Sequence, residues 1–258
     1  MKQLLIIPDR NNREKTIELA EQYKVGFEYN DFFKPELLED EAALEEVIAK
    51  YQLLTLPEYC TVHGAFFDVI PFSLDEEIRK ISVKRIKQSI EVAKRIGAKA
   101  VIFHTNYNPF LNTDTYIARW LEENVDFWSY ILEQYSDIQI YLENMFDTTP
   151  DMIESLSKVL CQYDNYGVCL DYAHAAISKV PPEIWAERLG KYVKHVHIND
   201  NDLISDLHLP WGEGKIDRAA FYYSYDKYLA DATVLVETTS LEQTEQSIKT
   251  LIAEGFWE

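Results

Sequence analysis

The sequence predicts a closed (β/α)8 barrel, and three observations lead to that prediction. Eight short runs of β-branched and aromatic residues alternate with eight longer stretches of helical periodicity along the 258 residues. Such alternation favours a parallel sheet covered by helices, and about 250 residues is the usual size of an eight-unit barrel. The turn IIPDRNNRE after the first run contains no glycine. A doubly wound open sheet, which is the second candidate for the fold, usually has a glycine-rich phosphate loop at that point.

The eight predicted strands are short and largely apolar, as expected of buried parallel strands. They are LLIIP (4–8), VGFEYN (25–30), YCTVHGAF (59–66), AVIFHTN (100–106), IQIYLEN (138–144), YGVCLDYA (166–173), VKHVHIN (193–199) and TVLVETT (233–239). The predicted helices lie at 12–23, 35–51, 75–97, 114–136, 150–163, 182–190, 217–229 and 241–254. Residues 1–258 are therefore expected to form a single barrel domain.

Capping residues mark the ends of several of these helices. Ser73 precedes the third predicted helix, and Gly97 is placed to end it in a left-handed conformation. Pro150 stands in the first turn of the fifth helix, where its missing N–H costs little. Ser240 precedes the last helix. The helix boundaries are therefore expected close to these four residues.

Nine candidate metal ligands stand at or just after the ends of the apolar runs. Five of the six histidines in the chain are among them, and histidine with carboxylate groups suits zinc, manganese or cobalt. The carboxyl ends of the strands of a parallel barrel meet at one mouth, where active sites lie. The nine residues are His63, His104, Glu143, Asp171, His174, His197, Asp206, His208 and Glu237. The sequence thus predicts a metal centre with one to three divalent ions at this mouth.

Each of these residues also has an ordinary structural explanation when it is taken alone. A single histidine in a strand is more often a hydrogen-bonded structural residue, and Glu143 or Glu237 could each pair with an arginine. Both glutamates, however, end very apolar strands, where an unpaired charge is costly and requires a cation or a proton. His195 shares a strand face with His197 but lies deeper. We therefore interpret His195 as a barrel-lining residue that supports the ligands.

Composition restricts the classes of function. The formal net charge of −19 repels polyanions, which makes nucleic acids and anionic membranes unfavourable partners. The three cysteines form no CxxC pair and indicate reduced thiols. No run approaches the roughly 18 apolar residues of a membrane span, and the N-terminal LLII run is too short for a signal peptide. These features predict a cytoplasmic protein with a small-molecule partner, and they leave oligomerisation open.

The most specific motifs of the chain are LDYAH (170–174), HVHINDND (195–202) and DLHLPWGEGKID (206–217), together with the strand ends LEN and VET. In these motifs the chain resembles the xylose-isomerase-like TIM barrel superfamily. That superfamily contains sugar and sugar-phosphate isomerases and epimerases, together with apurinic/apyrimidinic (AP) endonucleases of the endonuclease IV type (AP endonuclease family 2). The resemblance covers essentially the whole chain and implies a metal-dependent enzyme. The INDND segment after His197 lacks the arginine that ketose epimerases tend to place there.

For an isomerase or epimerase, which is the main prediction, the resemblance implies a single divalent metal held by Glu143, Asp171, His197 and Glu237. The two glutamates would also transfer protons on opposite faces of a small carbohydrate. His174 would contact that substrate beside the metal.

For a phosphoester hydrolase, which is the alternative prediction, the resemblance implies a three-zinc cluster. The substrate would be an AP site in DNA or a small phosphodiester. The residues that would complete the cluster are His63, His104, Asp206 and His208, with His174 as a further ligand. A barrel that binds a metal or a sugar without turnover is the third interpretation.

Other side chains near the mouth are candidates for contacts with the substrate. Aromatic rings could stack on a sugar or simply pack in loops, and basic side chains could hold a phosphate or remain solvated. The aromatic candidates are Phe66, Phe67, Tyr107 and Trp211, and the basic ones are Arg10, Arg13 and Lys215.

Overall fold

A computed structural model describes residues 3–54, 59–66 and 69–258. It contains a closed parallel barrel in which each strand pairs with the next one and the eighth pairs with the first. The strands are β1 (Leu4–Ile6), β2 (Gly26–Tyr29), β3 (Cys60–His63), β4 (Ala100–His104), β5 (Gln139–Glu143), β6 (Tyr166–Asp171), β7 (Val193–Ile198) and β8 (Thr233–Val236). The predicted (β/α)8 barrel is confirmed.

Helices surround this barrel in the order that the sequence predicts. They are α1 (Arg13–Tyr23), α2 (Pro35–Glu39), α3 (Glu41–Gln52), α4 (Glu76–Ile96), α5 (Asp114–Gln134), α6 (Asp151–Leu160), α7 (Tyr172–Ala176), α8 (Pro182–Leu189), α9 (Arg218–Ser224) and α10 (Leu241–Ala253), with a π-helical turn (Tyr225–Leu229) after α9. Within the part of the chain that is described, no helix combines the length and the apolar character needed to cross a bilayer.

Two local features differ from the prediction. The single helix expected at 35–51 is divided into α2 and α3, because Asp40 has an extended backbone and caps α3 by accepting a hydrogen bond from Ala43 N at 3.0 Å. The short helix α7 was not predicted. It begins directly after β6, and the Asp171 carboxylate caps it by accepting a hydrogen bond from His174 N at 2.6 Å.

The predicted caps are correct at two helix ends and shifted at two others. Gly97 ends α4 with a φ of 80°, and Ser240 caps α10. Asp75, rather than Ser73, caps α4, because its carboxylate accepts from the N–H two residues later while Ser73 Oγ accepts from Asp75 N. Pro150 precedes the first residue of α6 instead of lying within its first turn.

Strand register brings the polar residues to one end of the barrel. His104 on β4 lies opposite Glu143 on β5, and Asp171 on β6 lies opposite His197 on β7. Side chains two residues apart share a face of a strand. These polar residues therefore lie on the inward face of their strands, in line with the buried apolar side chains that precede them. The buried cluster of Ala100, Ile102, Tyr141 and Cys169 is the apolar layer of those faces. The larger apolar core lies between the strands and the helices.

Candidate metal centre

Glu143, at the end of β5, lies at the centre of the polar cluster and is 1% exposed. Its Oε2 lies 3.3 Å from His63 Nε2 and 3.5 Å from His104 Nε2. Its Oε1 lies 3.4 Å from His197 Nδ1 and 3.7 Å from His174 Nδ1. One carboxylate therefore faces two separate sets of ligand atoms, one with each oxygen.

We define the first set, His63, His104 and Glu143, as the histidine group. The second set, Glu143, Asp171, His197 and Glu237, is the carboxylate group. The ligand atoms of the histidine group lie within 4.8 Å of one another, and so do those of Glu143, Asp171 and His197. Glu237, directly after β8, brings its Oε2 within 3.4 Å of His197 Nδ1.

The three remaining candidates form what we define as the loop group, His174, Asp206 and His208. Asp206 Oδ2 lies 3.3 Å from His174 Nε2 and 3.1 Å from His208 Nε2. His208 also approaches Glu237, at 4.0 Å between Nδ1 and Oε2. All nine side chains that the sequence indicated thus lie in one connected cluster at the carboxyl ends of the strands.

The long loop that carries Asp206 is organised by Asp200. The backbone of Asp200 exchanges two hydrogen bonds with Leu209, both of 2.9 Å. Its carboxylate accepts hydrogen bonds from the backbone N–H groups of Gly212 and Ile216, both at 3.0 Å. These contacts join the INDND segment, which supplies the acceptor, to the GEGKID segment, which supplies the donors.

Glu28, in β2, is a residue that the sequence analysis did not single out. It is fully buried, and its Oε2 accepts a hydrogen bond from Thr61 Oγ1 at 2.6 Å and lies 3.1 Å from His195 Nε2. Its Oε1 lies 3.2 Å from His197 Nε2. A carboxylate on one ring nitrogen of a histidine orients the other nitrogen toward a metal. The signal in the sequence was a glutamate in the middle of an apolar strand.

His195 is fully buried, with Nδ1 2.5 Å from Thr233 Oγ1 and Nε2 facing Glu28. This position agrees with the interpretation of His195 as a barrel-lining residue that supports the ligands. Its ring stands edge-on to that of His197, with 5.0 Å between the ring centroids.

The pKa values of the residues in the cluster are shifted in different directions. Although burial alone would raise the pKa of Glu143, the charge of the His197 ring holds that pKa well below its usual value. Burial, together with the carboxylates of Glu237 and Glu143, raises the pKa of Asp171 to about 7. Burial lowers the pKa of His104 to about 3, so that its ring is neutral at ordinary pH, as a metal ligand must be.

The donor set fits a divalent cation. Five atoms of the carboxylate group are buried without a hydrogen-bond partner among the described residues, and burying such atoms unpaired costs free energy. They are Glu143 Oε2, Asp171 Oδ2, both ring nitrogens of His197 and Glu237 Oε2. Imidazole nitrogens with carboxylate oxygens are donors that zinc, manganese and cobalt accept. Because Glu143 belongs to two groups, the arrangement can hold more than one ion.

The aromatic candidates occupy different places. Phe66 lies over the histidine group, edge-on to His63 and His104 at 5.1 and 5.3 Å between ring centroids. Tyr107 stacks on Tyr116 and is 7% exposed. Phe67 lies outside the described residues.

The expected stacking of a sugar on Trp211 is not supported by the structure. The ring is fully buried, stands edge-on to Phe221 at 5.1 Å, and donates a hydrogen bond from Nε1 to Tyr222 Oη at 3.0 Å. A ring with no exposed surface cannot offer a face to a sugar, so Trp211 belongs to the packing beneath its loop.

The basic candidates do not join the cluster. Arg10 forms an ion pair with Asp31, while Arg13, at the start of α1, and Lys215 are exposed to solvent. Within the described ranges, none of these three side chains makes an ion pair with any of the nine ligands.

Comparison with known proteins places the chain among related barrels. A family described as "Xylose isomerase-like TIM barrel" matches residues 17–254. The uncharacterized protein MJ1311 of Methanocaldococcus jannaschii is 31% identical, over 72% of this chain and 66% of that protein. A fructoselysine 3-epimerase of Shigella flexneri is 27% identical, over 55% of this chain and 53% of the epimerase. The matches thus span between about half and two thirds of the length of these relatives.

Solved structures share the fold over almost the whole chain. A D-tagatose 3-epimerase-like protein superposes with a TM-score of 0.77 and 24% identity, covering 98% of this chain and 96% of that one. The IOLI protein with a binding zinc atom gives 0.71 and 21%, covering 98% and 97%. Endonuclease IV from Thermus thermophilus gives 0.64 and 18%, also covering 98% and 97%.

Proposed function

We propose that this chain, which belongs to the xylose isomerase-like TIM barrel family, is a metal-dependent isomerase or epimerase of a small carbohydrate. The observation that carries the proposal is the placement of Glu143 and Glu237, which come from different sides of the barrel. One oxygen of each lies 3.4 Å from the same atom, His197 Nδ1. Two carboxylates that flank one position can remove a proton from a substrate carbon and return one to its other face. Similarity to a fructoselysine 3-epimerase supports this assignment.

The two carboxylates are suited to different parts of the proton transfer. Burial opposes their ionisation, but His197 and its neighbours lower the pKa of both Glu143 and Glu237, so each can act as a base. Glu237 is 8% exposed and Glu143 only 1%, so Glu237 is better placed to exchange its proton with solvent. A divalent cation held by the carboxylate group would polarise the carbonyl and hydroxyl oxygens of the sugar.

Proton exchange with solvent provides the test. The zinc- or manganese-loaded protein is incubated with free ketohexoses and their 6-phosphates in D2O, and deuterium on the carbons next to the carbonyl is followed by NMR. We expect incorporation with at least one sugar, and a loss of about 100-fold or more in Glu237→Gln, because that variant removes an acid–base group. Glu187→Gln, on the exposed side of α8, is the matched control. Absence of exchange with every sugar would contradict the proposal.

The histidine group favours a second candidate, a metal-dependent hydrolase of small phosphoesters. Glu143 Oε2 faces His63 and His104 while Oε1 faces His197, and a bridging carboxylate is suited to two neighbouring ions that clamp a phosphoester. The net charge of −19 opposes a DNA substrate, because the affinity for DNA comes largely from basic side chains on phosphates.

A double variant separates the two candidates. His63→Ala with His104→Ala removes the histidine group and leaves the carboxylate group in place. A hydrolase would then lose its cleavage of bis(p-nitrophenyl) phosphate, whereas an epimerase would retain most of its deuterium exchange. Cleavage by the native protein that disappears in the double variant, without any exchange on sugars, would favour the hydrolase. Binding to DNA with abasic sites, measured at low salt, tests the repair role, and absence of binding would exclude that role.

A further inference from the structure

A cavity of about 520 Å³ opens beside His174, between the loops that follow β4, β5 and β6. Its walls are mostly apolar and include Tyr107, Phe110 and Phe146. Phe110 is 94% exposed and Phe146 is 58% exposed. Large exposed aromatic side chains beside a concave site commonly serve ligand binding. Because His174 belongs to both the cavity and the loop group, the cavity continues directly from the metal centre.

Asp147 provides an unpaired acceptor in the wall of this cavity. The residue is 3% exposed, and its Oδ2 accepts hydrogen bonds from Thr105 Oγ1 at 2.7 Å and from Met145 N at 3.2 Å. Its Oδ1 is buried and has no hydrogen-bond partner among the described residues. Burial raises the pKa of Asp147 to about 6 despite the two bonds. A buried acceptor without a donor is costly, so this oxygen is suited to a donor brought by a ligand.

The charge of the cavity restricts that ligand. Among the described residues that line it, none is a lysine or an arginine, and the ionisable ones are Asp147, His174 and Tyr107. A phosphate in this cavity would lie beside a carboxylate and without an arginine or lysine partner, which are the groups that normally bind phosphate. A sugar hydroxyl, by contrast, donates to a carboxylate without charge repulsion.

We propose that this cavity binds the end of an unphosphorylated sugar that points away from the metal centre. One hydroxyl of that end donates to Asp147 Oδ1, and the C–H face of the sugar packs on Phe110 and Phe146. The inference rests on the proposed isomerase or epimerase function and narrows its substrate class from sugars and sugar phosphates to free sugars.

The experiment compares free ketohexoses with their 6-phosphates on the metal-loaded protein. D-Fructose and D-tagatose, each with its 6-phosphate, are titrated by calorimetry into Glu237→Gln, and the KM for deuterium exchange is measured on the native protein. We expect the better free sugar to bind at least 10-fold more tightly than its 6-phosphate. Tighter binding of the 6-phosphates, or binding of neither class, would overturn the inference.

Two variants test the residues that carry the inference. Asp147→Asn keeps the acceptor for Thr105 but offers an amide in place of Oδ1, and should raise KM for the free sugar by about 10-fold while kcat changes less. Phe110→Ala, at an exposed position, should raise KM by about 5-fold without affecting folding. Leu53→Ala, an equally simple truncation at the exposed carboxyl end of α3, is the control. An unchanged KM in both cavity variants would contradict the assignment.

The outcomes distinguish failure of the cavity assignment from failure of the proposed function. Deuterium exchange that prefers 6-phosphates would reject the cavity assignment and leave the isomerase intact. Absence of exchange with all four sugars would reject the function itself. Metal content is measured in every variant, because a purely structural role of Asp147 would reduce metal content and the melting temperature together with activity.

Discussion

The histidine group and the loop group lie in the same cluster but are held in different ways. His63 and His104 end the strands β3 and β4, where backbone hydrogen bonds between neighbouring strands fix their direction, and their side chains are 4% and 6% exposed. Asp206 and His208 lie in a loop, with side chains 36% and 28% exposed. His208 has a φ of 48°, a left-handed conformation that is uncommon for a residue other than glycine.

This difference suggests that the two groups contribute differently to metal affinity. Ligands on strand ends are placed before any ion arrives, so little conformational entropy is lost when the ion binds. Ligands on an exposed loop retain more freedom, and part of their binding energy is used to order the loop. We therefore expect the ligands at the strand ends to set affinity and the loop ligands to adjust it.

The largest effect should follow from the residue that connects the groups. Glu143→Gln removes the negative charge from both the histidine group and the carboxylate group. We expect turnover to fall by about 1,000-fold or more, with loss of bound metal as measured by atomic emission. Glu187→Gln should change neither quantity. A Glu143→Gln protein that keeps its metal and its activity would show that the cluster is not the active site.

The two groups can be compared directly by single truncations. His104→Ala should release one ion from its position and lower affinity there by about 100-fold or more, because a pre-placed ligand is lost. His208→Ala should cost only about 10-fold, as an exposed loop ligand. Competition with a chromogenic chelator measures both. Equal losses would remove the distinction between strand ligands and loop ligands.

An effect smaller than that of His104→Ala is expected when the support of a ligand is removed. Glu28→Gln leaves all nine ligands in place but replaces the carboxylate that faces His197 Nε2. Removal of such a partner commonly costs 10–100-fold in metal affinity. Glu28→Asp keeps the charge, and we expect it to recover part of the loss. Unchanged affinity in both variants would limit Glu28 to packing.

The smallest effect concerns pH. Although burial favours the neutral ring, the hydrogen bond to Asp206 and the carboxylate of Glu237 raise the pKa of His208 to about 9, above the usual value of about 6.5. The His208–Asp206 ion pair therefore stabilises the metal-free protein fully below about pH 6.5, and this contribution is lost as pH rises through about 9.

A metal must displace the proton on His208 before it can bind there. Metal affinity at the loop group should consequently increase between about pH 6.5 and 9, in total by no more than the roughly 10-fold loss expected for His208→Ala. The measurement is chelator competition across this range. The His208→Ala variant should show a weaker pH dependence, and an identical profile would mean that His208 does not bind the ion.

The residues at the strand ends could be predicted from the sequence because two physical rules agree there. Strand periodicity places alternate residues on one face, and parallel strands bring their carboxyl ends together. His104 and Glu143 follow apolar runs in the correct phase, so both rules apply without knowledge of the loops. The fold follows from the same alternation, and it is confirmed by the closed barrel.

Residues whose role depends on a partner distant in sequence could not be predicted in this way. Glu28 resembles any strand glutamate until β7 is placed beside it, and Asp147 resembles any loop aspartate until the cavity is known. The burial of Trp211 could not be predicted either, because an aromatic residue in a loop can pack inward as well as outward. The break at Asp40 depends on a cap that competes with helix propagation.

The position of Asp171 has a consequence for how metal ions would bind to the cluster. One of its oxygens caps α7 by accepting a hydrogen bond from His174 N, and the other, Oδ2, faces the ligands. A helix of five residues has little stability of its own, so this carboxylate fixes the position from which His174 reaches Asp206. An ion on Oδ2 would hold the carboxylate plane, and with it the first turn of α7. Occupation of the carboxylate group should therefore favour occupation of the loop group, which makes the ions bind cooperatively.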